Sequence, residues 1–390
     1  MIRLKAAILV TLNFLFVVNI AISQNTKNYT ESDATYRKAL ELYQKGIYPS
    51  AQKQFEKFIK STDNYVSHLK TDAEFYIAMC AIELTNNDAE YLIGNFIHNH
   101  PESQKIDLAY FAMGKMQYQH KKYSKSISWL TKIDKNGLDK EKQFEMQFIL
   151  GYCYFMTNDL ETASKWLYQV KDVDNKFAGP ATYYYSHIAY LQKKYATALK
   201  GFEKLKENET FAPVVPFYIS QIYYLQGDYK KVVEYSPALI KDNITKRTPE
   251  IARIVGESYF KLKQYDSSVV YLEKYAEKTQ QLTRDDHYLI GFAYYKNQKY
   301  ADAAKYLERV STTDDSLSQN AHYHLADCYI KENDKTKARQ AFGMASKLDF
   351  DNIIKEDALF NYAKLTYEQL YAPFNEAIEA FRTYIQLYPN

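Results

Sequence analysis

Eight histidines and three cysteines are the residues with which this chain could most readily hold a metal ion or attack a substrate. Two His-x-His pairs occur, His98/His100 and His322/His324. Residues two apart on a helix point to different sides, so His322 and His324 cannot easily chelate one ion. His98 and His100 precede Pro101 at a helix end, where two rings could reach one ion, but the expected reading is surface placement. Cys80, Cys153 and Cys328 form no C-x-x-C and are too few for a disulfide scaffold. The chain contains neither common phosphate-binding glycine loop, no H-E-x-x-H and no G-x-S-x-G. No catalytic, cofactor-binding or metal-binding residue is assigned, and the chain is expected not to be an enzyme.

What remains is a scaffold of 390 residues. Apolar residues make up 46% and charged residues 25%, which excludes global disorder. Tyr (39) and Phe (21) far outnumber Gly (11) and Pro (9). A turn-rich β-sandwich or barrel needs more turn residues than that. Fifty Lys+Arg face 47 Asp+Glu, so a strongly basic nucleic-acid binder is not the default reading.

The first 23 residues form an address. Arg3 and Lys5 precede an apolar run from Ala6 to Ile22, and Ala21-Ile22-Ser23 offers small residues for cleavage. This is the layout of a secretory signal peptide, with the mature chain expected to start near Gln24. The competing reading is an uncleaved anchor at the short edge of a spanning helix. No Cys follows the run, so a lipid anchor is not expected. Residues 24–32 read as a short linker. Cleavage removes two of the 50 positive charges and leaves 48 against 47. Neither nucleic acid nor an anionic membrane surface is then favoured.

From residue 33 to 390 the chain repeats. One series of mostly small residues runs Ala39, Ala78, Gly114, Gly151, Ser186, Ser220, Gly256, Gly291, Ala326, Ala363. A second runs Ala51, Ala89, Ser126, Ala163, Ala198, Val232, Ser268, Ala303, Ala338, Ala377, with steps of 34 to 39 residues. Four residues after the second small residue stands a bulky one, from Phe55 to Phe381, except Ser236 in repeat six. Apolar spacing in 146–157 and 287–296 predicts helices, so each unit reads as two helices around a polar turn. Small residues let the two helices approach and the bulky residue fills the groove beside them. One hairpin cannot bury its apolar face alone, but a stack can. Cys80, Cys153 and Cys328 each fall two residues after the first small residue, which makes them packing residues of first helices.

The pattern resembles the tetratricopeptide repeat. Leu150-Gly151 with Tyr154, Leu160, Ala163 and Leu167 carries the resemblance, as does Ile290-Gly291 with Tyr294, Tyr300, Ala303 and Leu307. Gly227-Asp228-Tyr229 matches the family turn. Asn86-Asn87-Asp88 in repeat two is irregular, and repeat ten has about two extra residues around Tyr371-Ala372. The resemblance implies an all-α solenoid of about ten helix-turn-helix repeats in a right-handed superhelix. The endings FIHNHPES (96–103) and YIQLYPN (384–390) resemble a subgroup found in bacterial outer-membrane assembly and cell-envelope proteins.

In that family the first helices line a concave face, expected here at positions −3, +1, +4 and +5 from the first small residue. Seventeen of the twenty residues at −3 and +4 are aromatic. The expected partner-binding set is Phe148, Tyr152, Phe155, Met156, Tyr183, Tyr190, Leu191, Phe217, Tyr224 and Leu225, an apolar stretch in repeats four to six. Lys261, Lys296 and Lys331 follow at +5 of repeats seven to nine, partly neutralised by Glu257 and Asp327. Aromatics stand at −3 where a carboxylate-clamp subtype would place Lys, so capture of chaperone C-termini is not expected. Exposed aromatic patches favour protein contact.

The reading reached is a non-enzymatic protein-interaction scaffold of the bacterial cell envelope, exported to the periplasm or the periplasmic face of the outer membrane. It would bind protein or peptide segments, with no nucleic acid and no transmembrane segment after signal cleavage. The alternative is an envelope carbohydrate-binding protein. Trp129 and Trp166, the only tryptophans, fall in second helices, away from the expected groove. A last expectation concerns the final helix, Phe374 to Leu387. Ala377, Ile378, Phe381, Tyr384 and Ile385 exceed what repeat nine can cover. The chain is then either the N-terminal part of a longer protein or a chain that pairs with itself or a partner through that end.

Overall fold

The structure is a computed structural model that describes residues 34–61, 68–134, 136–241, 247–310, 313–369 and 375–389. The expected signal segment and linker, the two extra residues at Tyr371-Ala372, and Phe374 lie outside these residues. Twenty helices and no strand are present among the described residues. The fold is an all-α helical-repeat solenoid, as the periodicity predicts. The chain divides into two compact units, Met1–Ile188 and Ala189–Asn390, and the division falls inside one helix.

Unit one holds α1 (Ala34–Gln44), α2 (Tyr48–Ser61), α3 (His68–Glu83), α4 (Ala89–Asn99), α5 (Ile106–Gln119), α6 (Tyr123–Leu130), α7 (Lys140–Met156), α8 (Leu160–Tyr168) and most of α9 (Ala178–Leu191). Unit two holds α10 (Tyr195–Lys204), α11 (Val215–Leu225), α12 (Tyr229–Lys241), α13 (Thr248–Lys261), α14 (Tyr265–Lys278) and α15 (Arg284–Lys296). It continues with α16 (Tyr300–Leu307), α17 (Ser316–Lys331), α18 (Lys335–Lys347), α19 (Asn352–Gln369) and α20 (Asn375–Leu387). Odd-numbered helices are the first helices of the repeats. Within each unit they touch the second helix of the same repeat, and most also touch the next first helix, as α5 does α7 and α17 does α19.

The small-residue series marks where the two helices of a repeat meet. A Cβ on Gly114, Gly151, Gly256 or Gly291 would stand 2.4–2.9 Å from a side-chain carbon of Leu130, Leu167, Leu272 or Leu307, the bulky residue of the same repeat. No real contact is that short, so those backbones approach as closely as they do because no side chain intervenes. Where the second small residue is Ser, its hydroxyl ties the pair. Ser126 Oγ donates to the Gly114 carbonyl and Ser268 Oγ to the Gly256 carbonyl, each at 2.8 Å. Repeat six, which lacks the bulky residue, joins Ser236 Oγ to Ser220 Oγ at 2.8 Å instead.

Each described turn also has a fixed geometry. The residue seven places after the first small residue has positive φ in nine repeats: Gly46, Thr85, Lys121, Asn158, Lys193, Gly227, Lys263, Gln298 and Asn333. The next N–H then reaches back to the helix, as Ile47 does to the Leu42 carbonyl and Asp159 to the Tyr154 carbonyl, both at 2.9 Å. This is the left-handed C-terminal stop of a helix. Only two of the nine residues are glycine, so the tertiary packing imposes a conformation that the other seven side chains resist.

Candidate functional site

The three cysteines are buried at the helix crossings. Burial pushes the thiols up, Cys153 to about 11 and Cys80 and Cys328 to about 12, so none is poised as a nucleophile. His98 is exposed, while His100 lies 2.7 Å from the Glu74 carboxylate. His324 is packed among Phe292, Tyr295 and Tyr323, with ring centroids 4.7, 4.9 and 5.6 Å away. Burial, helped by the Lys296 charge, pushes it down to about 4. No group of three or more His, Cys, Asp or Glu able to hold a metal ion is found among the described residues.

The expected binding residues divide between the units. In unit one, Met156 is 44% exposed at the C-terminal end of α7, and Phe155 and Tyr152 are half-buried beside it. Tyr152 meets Tyr118, Tyr123 and Tyr184 at 5.5, 5.9 and 4.9 Å, and Phe155 meets Tyr184 and His187 at 5.3 and 5.7 Å. Tyr183 stacks on His187 at 6.0 Å. The result is a layer of contiguous rings whose edges reach the surface. Burial first, and the neighbouring hydroxyls next, push the Tyr152 phenol above its ordinary value.

In unit two, Tyr190 and Tyr224 are half-buried and Leu191 and Leu225 are 49% and 47% exposed. Lys261, Lys296 and Lys331 are exposed one residue after the +4 residue of their repeats, Phe260, Tyr295 and Ile330. Lys296 stands 5.0 and 5.5 Å from the Phe292 and Tyr295 rings. No carboxylate lies within ion-pair distance of any of the three among the described residues, in contrast to Lys305 with Asp302 or Lys335 with Glu368.

Two expected residues are corrected. Phe148 and Phe217 are 8% and 6% exposed, so they do not line a face. Tyr36, Phe75 and Phe111 at the same −3 position are buried too. Phe148 stacks on Phe177 at 5.5 Å and the Arg247 guanidinium lies 4.5 Å from the Phe217 ring, while in repeats one and two the −3 side chain leans into its own hairpin. Tyr36 meets Phe58 and Phe75 meets Phe96, seven residues past the second small residue, at 5.5 and 5.4 Å. These buried −3 rings therefore support the face from behind, whereas Tyr183, Tyr288 and Tyr323 stay half-buried and Phe360 is exposed.

Glu257 and Asp327, expected to offset the lysines, are engaged elsewhere. The Tyr224 hydroxyl donates to Glu257, and the Tyr295 hydroxyl to Asp327 at 2.8 Å. Tyr36 to Asp72 and Tyr323 to Asp357 are links of the same kind, at 3.3 and 2.7 Å. Each ties a tyrosine of one first helix to an acid of the next, 32 to 36 residues on. The sequence signal for these links was a tyrosine and an acid one repeat apart. Arg253, the one non-aromatic residue at −3, lies 2.9 Å from Glu257 and 3.5 Å from the buried Asp286.

The family model described as anaphase-promoting complex, cyclosome, subunit 3 matches residues 263–345, a stretch that runs from the turn before α14 into α18. With the hairpin geometry, this match bears out the resemblance to the tetratricopeptide repeat. Tetratricopeptide repeats suggest a scaffold for protein–protein interaction. Among solved structures, the chain is similar to the C-terminal part of a TPR repeat-containing protein from Cytophaga hutchinsonii. Identity is 13% and the TM-score 0.43, over 69% of this chain and 98% of that one. It is also similar to a chain of the APC/C hetero-tetramer Cut9-Hcn1, at 14% identity and a TM-score of 0.34, over 85% of this chain and 76% of that one. Among curated proteins no sequence matches.

Proposed function

We propose that this tetratricopeptide-like chain is a non-enzymatic scaffold of the bacterial cell envelope that holds extended protein segments on the faces of its first helices. The observation that carries the reading is the exposed edge of those helices. Met156, Leu191 and Leu225 stand open beside half-buried rings, where a soluble surface would normally carry polar groups. Aromatic anchors in such settings carry most of the energy of a protein contact. The unpaired Lys261, Lys296 and Lys331 give the same side of unit two a preference for acidic segments and a salt-sensitive on-rate. Export rests on the N-terminal sequence layout.

The test is recovery of a partner from the periplasm with the tagged chain, beside a Tyr190→Ala, Tyr224→Ala variant. The variant should weaken capture of that partner by roughly 1–4 kcal/mol, with helicity unchanged. Capture that survives both substitutions at full strength would place the site elsewhere. N-terminal sequencing of the exported chain tests the address, since an intact Met1 on a membrane-bound product excludes cleavage.

A further inference from the structure

One place between the two helices of a hairpin is filled by paired rings in some repeats and not in others. In repeat eight His287, four residues before the first small residue, sets its ring 6.0 Å from Tyr306, three residues after the second. In repeat three the same two positions hold Tyr110 and Trp129, stacked at 6.0 Å. Repeat seven keeps half of this pair. Tyr271 stacks on Tyr259 at 5.5 Å, as Tyr306 does on Tyr294 at 5.9 Å, but the position of His287 is taken by Ala252. There a cleft of 540 Å³ lies between α12 and α14, with the buried Thr248 and Ala252 of α13 at its floor and Ile240 and Tyr271 on its walls. That volume suits one small molecule.

The rim of the cleft is charged. Lys241 of α12 and Lys274 and Lys278 of α14 stand on it, with Glu277 as the acid among them. All four are exposed. No carboxylate lies within ion-pair distance of the three ammonium groups among the described residues, whereas Lys231 of α12 is 2.8 Å from Asp228. Lys274 stands 4.8 Å from the centre of the Tyr271 ring, so the place for a ring and the place for an anion adjoin. Three cations against one acid favour a negative ligand. An apolar floor with a tyrosine on the wall favours a flat one.

We propose that this cleft binds a small aromatic carboxylate, its ring against Tyr271 as His287 lies against Tyr306 and its carboxylate at Lys274 and Lys278. A free compound fits better than a chain segment because the space is confined to one repeat: in the next repeat His287 takes the equivalent place. This inference stands apart from the proposed function, which uses other side chains.

Phenylacetate titrated into the full chain and followed by saturation-transfer NMR reads it directly. A ligand of about ten non-hydrogen atoms in an open cleft corresponds to millimolar affinity, and saturable binding is expected there. Cyclohexylacetate has the charge without the flat ring and benzyl alcohol the ring without the charge, so both should bind more weakly. Ala238→Trp fills the cleft from an exposed position on its wall, and Ala252→His copies repeat eight. Each should abolish saturable binding with circular dichroism unchanged. Lys274→Gln with Lys278→Gln should raise the phenylacetate dissociation constant about tenfold, the worth of one hydrogen bond to a charged group, and leave benzyl alcohol unaffected. No saturable binding of phenylacetate, equal binding of cyclohexylacetate, or full binding by both Ala238→Trp and the double lysine variant would overturn the proposal. So would tighter binding of N-acetyl-Asp-Phe-amide than of phenylacetate, which would give the cleft to a protein segment.

Discussion

The first helices present two different surfaces in the two units. At α7 in unit one the surface is a layer of rings and one thioether, with Tyr152 and Phe155 held by aromatic neighbours. At α13, α15 and α17 in unit two it is rings plus charge: Glu257 of α13 accepts from Tyr224 of α11, the Tyr295 hydroxyl is bound to Asp327, and Lys261 and Lys296 follow the Phe260 and Tyr295 rings. The positions are equivalent; the side chains around them are not. The first is held by ring-on-ring packing, the second also by directional bonds, and the second adds ammonium groups that have no carboxylate within ion-pair distance among the described residues. A neutral apolar segment suits the first and an acidic segment the second.

Both tryptophans, Trp129 and Trp166, lie in α6 and α8 of unit one. Tryptophan fluorescence therefore reports unit one, while circular dichroism reports both. Repeat arrays need not melt in one step, so the two signals can separate the units. The largest effect is expected from closing a glycine crossing. A Cβ on Gly151 would meet Leu167 Cγ at 2.6 Å, and one on Gly291 would meet Leu307 Cγ at 2.9 Å. Gly151→Leu and Gly291→Leu should each cost roughly 1–3 kcal/mol through overpacking. The first should lower the fluorescence transition, and the second the dichroism transition with fluorescence little changed. If both variants moved both signals together, the units would be one cooperative body and the comparison would lose its footing.

Acid should separate the units next. In unit two His324 is pushed down to about 4 by burial, against about 6.5 for an unfolded histidine. The unfolded chain then binds more protons between those values, so this contribution to stability is complete above pH 6.5 and is lost as pH falls toward 4. His287 and His322 shift in the same direction, also mainly through burial. Dichroism melts should weaken through that window, and His324→Gln should weaken less steeply. A variant with the same slope as the parent would remove His324 from the account.

The crossings were legible in the sequence because packing at a helix crossing is local. Gly151 and Leu167 are sixteen residues apart in one hairpin, and the small-then-bulky pattern states their contact. The burial of the cysteines followed from the same register. The faces were less legible. A helical wheel places Phe148 and Tyr152 on one stripe, but whether a ring stays on the surface depends on what packs over it, which for Phe148 is Phe177. Phe58 and Phe96 are large enough to draw in the −3 rings of their hairpins. The tyrosine–acid links needed the register between repeats, which the periodicity supplied and which was not applied to hydroxyls.

Those links give a smaller and more pointed contrast. Tyr295 and Tyr118 both occupy the +4 position. The Tyr295 hydroxyl donates to Asp327 at 2.8 Å. No hydrogen bond of the Tyr118 hydroxyl is found among the described residues, and its ring edge meets Tyr152. Tyr295→Phe should cost about 0.5–1.5 kcal/mol, the net worth of one hydrogen bond, seen in the dichroism melt. Tyr118→Phe should cost less than half of that in the fluorescence melt. Equal costs would mean that the two faces are held in the same way.

The smallest effect concerns the turns, where the units are alike. Gly46 in unit one and Gly227 in unit two take φ of +72° and +78°, and Lys263 takes +61° at the same place in its repeat. A side chain in that region costs roughly 1–2 kcal/mol through the clash of Cβ with the backbone. Replacing it by glycine relieves the clash but gives the unfolded chain more freedom, worth about 0.4–1 kcal/mol against folding. The difference leaves Lys263→Gly more stable by about 0.5–1 kcal/mol. Lys121→Gly in unit one, at φ +58°, should gain the same amount in the fluorescence melt. The two gains should match because the turn is set by the hairpin alone and is blind to which face the first helix carries. A gain in one unit with a loss in the other would show that the face reaches into the turn, and would extend the contrast between the units from their surfaces to their backbones.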